Sequence, residues 1–426
     1  MRRALGAAIL IGVLVSLTIV VEVSAESDEA RKSPFAGLGL SGSLRGGYWS
    51  SSRTLDDREH FLESALWLKA APKLSGTASL VVEGWVRNQD LFHENATEGV
   101  LREAYLQAAL GPLDLRIGRQ IIAWGRADRI NPTDNLTPRD FTLLVPDDDD
   151  QRRGGDGVKA TLTLGGLALS GVWLPNFEPD TIPIQRTVGV AIRERVPGET
   201  FGQWAARLEQ TGKAVDWSLS YFDGFDLIPD FGIDRASPGF LDVVLKHHRI
   251  RVVGGDAATT LGRFGLRAEA AFTFTEDPNG TRPDVKQPFF FMVVGGDRTF
   301  FEYLNVNVQY LFRYVVHHRS PVDLADPVQR SVATEQAVVA NQLDRAQHGA
   351  SLRVSHKWLN ETLEAEVGGT VTFTRLDFVV RPKITYAVTD RWKVVVGGDV
   401  FEGQRRSFFG RLRENSTGYA EIRWSF

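Results

Sequence analysis

The chain closes on Gly418-Tyr419-Ala420-Glu421-Ile422-Arg423-Trp424-Ser425-Phe426, a strict alternation of apolar and polar residues. Side chains alternate faces along a β-strand, so Ala420, Ile422, Trp424 and Phe426 share one face, while Tyr419, Glu421, Arg423 and Ser425 share the other. One face suits hydrocarbon and the other suits water.

The same pattern recurs upstream. Leu80, Val82, Gly84 and Val86 oppose Val81, Glu83, Trp85 and Arg87. Phe264, Leu266, Ala268, Ala270, Phe272 and Phe274 oppose Arg263, Arg267, Glu269 and Thr273. Leu304, Val306, Val308, Tyr310, Phe312 and Tyr314 oppose Asn305, Asn307, Gln309 and Arg313, and Leu363, Ala365, Val367, Val371 and Phe373 oppose Thr362, Glu364, Glu366, Thr370 and Thr372. Each segment approaches the roughly 9–11 residues that a tilted membrane strand needs. Turn signals alternate with long loops. Short turns are expected at Pro72–Gly76, Gly111-Pro112, Gly165-Gly166, Gln210–Lys213, Gly254–Gly262, Gly295–Thr299, Lys357–Glu361 and Val388–Arg391. Long loops are expected near 50–58, 88–98, 123–155, 176–199, 224–238, 276–287, 315–346 and 402–416, with a tight hairpin near Arg375–Asp377. This predicts about 18 strands, or about 16 if that hairpin is merged, with short turns on the periplasmic side and both termini there.

Composition favours a barrel over a helical bundle. Beyond residue 25 no apolar run approaches the length of a spanning helix, mean hydropathy is -0.16, and 24% of residues are charged. Within hydrocarbon only helices and closed barrels satisfy every backbone N–H and C=O. The fold class expected is therefore all-β, a transmembrane antiparallel β-barrel. A soluble β-sandwich would also show short strands and Gly-rich turns, but it would not place outward aromatics in nearly every strand. Residues 1–25, with Arg2, Arg3, the apolar run Ala4–Val21 and the exit Val23-Ser24-Ala25, read as a cleavable signal peptide. Residues 26–35 read as a periplasmic lead-in and 36–426 as one barrel domain. The chain has no cysteine, so thiolate metal sites, disulfides and covalently attached haem are excluded. Net charge is -4, becoming -5 on loss of Arg2, Arg3 and Glu22, which argues against a nucleic-acid partner.

The terminal aromatic strand resembles the C-terminal signature of Gram-negative outer-membrane barrels. That resemblance implies recognition by the barrel assembly machinery and a final home among outer-membrane lipid and lipopolysaccharide. Within 113–164, the pieces Arg116-Ile117-Gly118-Arg119-Gln120, Trp124-Gly125-Arg126, Asn131-Pro132-x-Asp134 and Arg152-Arg153-x-x-Asp156-Gly157-Val158 resemble alginate-export-type porins and related porin-like barrels. The resemblance covers about a tenth of the chain in motif and the remainder only in architecture. It implies an outer-membrane channel for passive passage of polar or charged solutes, without a cofactor.

The long loop inside that stretch far exceeds the usual connection length, so a job is expected of it. Folded inward, it would place Arg116, Arg119, Arg126, Arg129 and Arg139 with Asp128, Asp134 and Asp140 at a selectivity constriction. The competing reading is that these ions merely pair and stiffen the loop. Asp147–Asp150 reads as a solvated external stretch or a patch for lipopolysaccharide-bound cations, since EF-hand spacing is absent. His247-His248 and His317-His318 read as interfacial or lumenal polar residues, because adjacent strand residues seldom face one metal. No Gly-x-Ser-x-Gly or nucleophile–base pattern is present, so an enzyme is not expected. A TonB-dependent transporter would need about 22 strands and a plug domain.

The water-facing residues carry both signs, whereas exporting a polyanion calls for a strongly cationic lumen; that departure counts against an alginate substrate and leaves the channel reading intact. Two other roles fit the same barrel. One is a sheath around a periplasmic multihaem cytochrome, whose haem would belong to that partner protein. The other is polysaccharide export or surface anchoring.

Overall fold

The computed structural model describes residues 36–51, 60–89, 97–185, 187–198 and 202–426. The expected signal peptide and lead-in lie outside the described residues. In chain order the first strands are β1 (Ser41–Ser51), β2 (His60–Ala70), β3 (Ala78–Asn88), β4 (Thr97–Leu110), β5 (Leu113–Gln120), β6 (Gly155–Leu164) and β7 (Leu167–Leu174). Next come β8 (Val190–Arg195), β9 (Gln203–Gln210), β10 (Val215–Phe225), β11 (Asp230–Ser237), β12 (Phe240–Lys246), β13 (Arg249–Leu261) and β14 (Phe264–Phe274). The last are β15 (Phe289–Phe300), β16 (Leu304–Val315), β17 (Ala346–Trp358), β18 (Leu363–Thr372), β19 (Asp377–Ala387), β20 (Trp392–Glu402) and β21 (Thr417–Ser425).

Eighteen of these strands form one sheet, each antiparallel to its neighbours in sequence. The sheet closes because β1 pairs with both β2 and β21, with Leu44 opposite Trp424 and Tyr48 opposite Ala420. Closure leaves no unpaired edge, the condition for crossing a bilayer with strands. The alternation of the closing strand holds in space. Ile422 and Phe426 are exposed on the outside, while Tyr419 and Glu421 are buried within. Leu44, Leu219, Val253, Val308, Val367 and Ile384 extend the exposed apolar belt round the barrel. No helix among the described residues is long and apolar enough to cross a membrane.

Short turns cap one end and long connections the other. Gly111 (φ +64°), the pair Gly165 (φ +56°) and Gly166 (φ +89°), and Gly262 (φ +61°) supply the left-handed backbone that two-residue hairpins need. Two expected turns are displaced. Gly254-Gly255 and Gly295-Gly296 lie inside β13 and β15, and the chain turns later, at Gly262-Arg263 and at 301–303. These glycines serve close approach rather than turning. A Cβ on Gly254 would lie 2.7 Å from Thr133 and 2.9 Å from the Ala270 carbonyl, and one on Gly295 only 2.3 Å from the Val308 carbonyl.

The long connections carry structure of their own. β8, β11 and β12 form a separate three-stranded sheet outside the barrel wall. The helix α1 (Pro327–Val339) starts where the Asp326 side chain accepts from Gln329 N at 2.8 Å and Pro327 presets the first turn. Its Val332 and Val339 pack with Phe231, Val243 and Leu245 of that small sheet, which fixes the helix over the barrel mouth.

Gly42 exchanges both backbone hydrogen bonds with Phe426, at 3.0 and 3.1 Å, and a Cβ there would meet the Trp67 carbonyl at 2.4 Å and the Phe426 ring at 2.8 Å. Gly42→Val is expected to destabilise the closing seam by about 1–3 kcal/mol through overpacking. Gly46→Val, with open space around its Cβ, should be tolerated. The transition temperature of the heat-modifiable gel band checks this: it should fall for Gly42→Val alone.

Candidate functional site

The connection between β5 and β6, residues 121–154, crosses the barrel interior. Its first half is anchored on one wall by apolar contact. Ile122, Trp124 and Leu136 are buried in a cluster with Val172, Leu174, Ala205, Phe222, Ile250, Val252 and Ala271, which all face the lumen. Trp124 also lies beneath the Arg207 guanidinium, 5.8 Å from its ring centre. The second half is anchored on the other wall. Leu143 packs with Ala65, Trp67 and Trp85, and Leu144 with Trp49, Phe61, Val395 and Tyr419. Each such burial is worth about 1.5–3 kcal/mol.

Between these anchors the polar groups pair with the wall. Glu269 of β14, 1% exposed, receives five hydrogen bonds from the segment. Its Oε1 accepts from Thr133 N at 2.9 Å and Thr133 Oγ1 at 2.8 Å; its Oε2 accepts from Arg126 N and Ala127 N, both at 3.1 Å, and from Asn131 Nδ2 at 3.0 Å. Gly125 (φ +102°) allows this approach, because a Cβ there would lie 2.5 Å from the carboxylate. Farther along, Gln309 of β16 accepts from Asp128 N at 2.8 Å and donates to Asp128 O at 2.9 Å, while Arg353 of β17 donates to the Asp128 carboxylate at 2.8 Å.

The expected site residues separate into three groups. Arg126 pairs with Asp256 of β13 and lies 3.6 Å from Glu209 of β9, and Arg129 (φ +65°) pairs with Glu366 of β18 at 2.7 Å. These two reach from the segment to the wall. Asp134, Arg139 and Asp140 act within the segment. Asp134 binds Arg139 at 3.3 Å and Arg152 at 2.7 Å, and Asp140 accepts from Thr142 N at 3.0 Å and Thr142 Oγ1 at 2.6 Å. The last two, Arg116 and Arg119, lie on β5 three residues apart and so face opposite ways. Arg116 faces the lumen opposite Lys159, 5.3 Å above the Tyr105 ring. Arg119 shares the outward face with Ile117 and is held by Asp156 and Glu178, so it stands away from the interior.

Asp147–Asp150 is not an external stretch: only the Asp149 side chain, 90% exposed, stands out in solvent. Asp147 pairs with Lys383 of β19 at 3.1 Å and Arg423 of β21 at 3.2 Å, Asp148 with Arg381 at 2.6 Å, and Asp150 with Arg45 of β1 at 2.6 Å. Three of these carboxylates thus meet basic side chains on three strands of the wall. Glu269, Gln309, Arg353, Glu366, Arg381, Lys383 and Arg423 stand at inward positions of alternating strands; the available signal was that inward position, without the identity of the partner. The histidine pair at 247–248 meets carboxylates instead of a metal: His247 lies 3.2 Å from Glu194 and His248 lies 2.7 Å from Asp230. No cluster that could hold a metal occurs among the described residues.

An external connection stitches down the segment from the long-loop side. Phe141 N donates to Thr181 O and Thr181 N to Arg139 O, both at 2.9 Å, and Arg139 N donates to the Asp180 carboxylate at 2.7 Å. Burial pushes the Asp180 carboxyl up to about 7, with Asp226 adding to the rise and the Arg139 hydrogen bond opposing it.

No protein-family model matches the chain, and no curated protein sequence matches it. Solved structures do match in fold. OccAB3 of Acinetobacter baumannii aligns with TM-score 0.56 at 10% identity, covering 92% of this chain and 99% of that one. The outer membrane protein OpdK of Pseudomonas aeruginosa aligns with TM-score 0.54 at 11% identity, covering 91% and 98%. OccAB2 of Acinetobacter baumannii gives TM-score 0.54 at 11% identity, covering 91% and 97%. The chain therefore has the fold of these barrels over nearly its whole length.

A carboxyl whose folded pKa is raised contributes its full stability at acid pH and loses it as pH rises through that pKa. The stitch at Asp180 should therefore loosen progressively from about pH 4, near the ordinary carboxyl value, to about pH 7, and level off above it. Limited proteolysis within 176–198 is expected to accelerate over that range in the native chain, and to show no such step in Asp180→Asn.

Proposed function

We propose that this chain is a passive channel of the Gram-negative outer membrane, admitting small polar or charged solutes, with residues 121–154 as its constriction. The observation that carries the reading is the Glu269 anchorage. A covalent segment of the chain crosses the interior and is held to the wall by a buried carboxylate, so the aperture is defined by fixed groups rather than by a mobile flap. Closure of the sheet and its apolar belt place the barrel in a bilayer. The similarity in fold to the outer membrane protein OpdK supports the same membrane. Constrictions of this kind select by size and by the charges at the rim.

The segment crosses from the β13–β14 side to the β1–β2 side, so little of the interior remains for a threaded protein. That speaks against the cytochrome sheath. It speaks equally against export of a bulky polysaccharide. The charged groups named above pair the segment to the wall, and no catalytic role is proposed for them.

Purified protein in planar bilayers is expected to give steady, ohmic steps in potassium chloride. Absence of any conductance would overturn the proposal. Glu269→Gln should change the steps in a specific way. Its amide NH2 or its carbonyl must face donors that the carboxylate accepted, costing about 3 kcal/mol or more of segment docking. Larger and flickering currents are expected from a barrel that still shows the heat-modifiable band; unchanged steady steps would contradict the role assigned to Glu269.

A further inference from the structure

We infer that a cavity on the long-loop side of the crossing segment is a binding site for a small organic anion with an apolar body, with Arg313 and Arg411 supplying the charge. This rests on the channel reading and names the class of solute that the channel would concentrate. The cavity has a volume of about 470 Å³, within the range that holds one small ligand.

The charge balance of its lining singles out the two arginines. Six arginines line the cavity. Four have carboxylate partners: Arg129 with Glu366, Arg139 with Asp134, Arg353 with Asp128 and Arg381 with Asp148. Arg313 and Arg411 have none among the described residues. Arg313 donates one terminal N–H to the Ala340 carbonyl at 2.8 Å, and Arg411 donates one to the Pro183 carbonyl at 3.2 Å. Asp226 and Glu335 act on them only at a distance, and Asp226 is itself bound by Lys286 at 2.6 Å. Ala340 caps the end of α1, but a helix C-terminus offers only about half a unit of negative charge. In each guanidinium the Nε is buried without a hydrogen-bond partner, and among the described residues the one terminal N–H bond to a carbonyl is the only hydrogen bond the group makes. Buried charges are normally paired, so these two groups are left for a ligand to complete.

The walls specify what carries the negative charge. Arg313 is held flat between Phe289 and Phe291, its guanidinium carbon 4.6 Å from each ring centre. Phe401, Phe408 and Phe409 line the same space. The 403–416 connection that carries Arg411 is tightly built: Asp377, 1% exposed, accepts from Phe409 N at 2.7 Å, and a Cβ on Gly410 would lie 2.0 Å from the Gln404 carbonyl. Aromatic walls around two incompletely bonded cations complement an anion attached to a flat apolar body. A hydroxyl-rich sugar acid would leave those walls unmatched.

The test is calorimetric titration of the full-length barrel in detergent with sodium benzoate, sodium acetate and benzyl alcohol. Benzoate should bind at least about tenfold tighter than either of the others, the scale of one charge-assisted hydrogen bond. Arg313→Gln and Arg411→Gln should each weaken benzoate by about tenfold or more, whereas Arg405→Gln, at an exposed external position, should leave it unchanged. If either Gln variant loses its heat-modifiable band, Arg313→Lys and Arg411→Lys, which keep the charge, take its place and should retain measurable benzoate binding. Equal binding of benzoate and benzyl alcohol, or benzoate binding indifferent to both arginines, overturns the site. Failure of the channel reading is told apart by conductance. A barrel that conducts potassium chloride but neither binds benzoate nor shows altered current in its presence sinks this site alone.

Discussion

A carboxylate buried in a barrel wall must be neutralised or fully hydrogen-bonded, and Glu269 meets that requirement by drawing in a stretch of chain more than a hundred residues earlier in sequence. Backbone N–H groups of Arg126, Ala127 and Thr133, with two side chains, converge on its two oxygens. Losing one partner of such a group costs more than forming it yields, so the arrangement holds together or fails as a unit. The surrounding residues follow from it. Gly125 has no side chain because the carboxylate occupies that space, and Gly254 has none because Thr133 does.

From that anchor the rest of the interior is electrostatic complement. Asp128, Arg126 and Arg129 meet the opposite sign on β13, β17 and β18, and three consecutive-range aspartates meet Arg45, Arg381, Lys383 and Arg423 across the barrel. The loop carries interleaved signs at 126–129 and a run of aspartates at 147–150, and the wall presents the reciprocal sign to each. The pairs are only partly buried, so each is individually modest in worth. Their joint effect is to set the height and tilt of the segment. Of the arginines lining the cavity on the long-loop side, Arg313 and Arg411 have no carboxylate partner among the described residues, and theirs is the charge an entering solute would meet there.

The barrel was legible because a membrane strand writes its two solvents into alternate residues. Phe426, Ile422 and Glu421 stand as their spacing requires, and the strand number follows from alternating turn and loop lengths. Glycine pairs were the ambiguous sign. Gly254-Gly255 and Gly295-Gly296 read as turns because glycine permits both a turn and a close approach, and only the neighbour decides which. The site was legible in part. Its loop stood out by length and by Trp124-Gly125-Arg126, yet Arg119 was grouped with Arg116 although three residues along a strand reverse the face. Asp147–Asp150 looked solvated because its partners lie over 200 residues away for Arg381, Lys383 and Arg423, and no local pattern encodes such a pairing.

The central claim, that residues 121–154 lie fixed across the interior against β13 and β14, can be tested covalently because the chain has no cysteine of its own. Thr133→Cys removes one of the two branches at that side chain, relieving the 2.7 Å contact a Cβ at position 254 would make with Thr133 Cγ2 and setting a sulfur beside position 254. The double variant Thr133→Cys/Gly254→Cys, oxidised after assembly, should form a disulfide nearly completely, seen as a gel shift reversed by reductant. Failure to cross-link in a correctly assembled barrel would contradict the account.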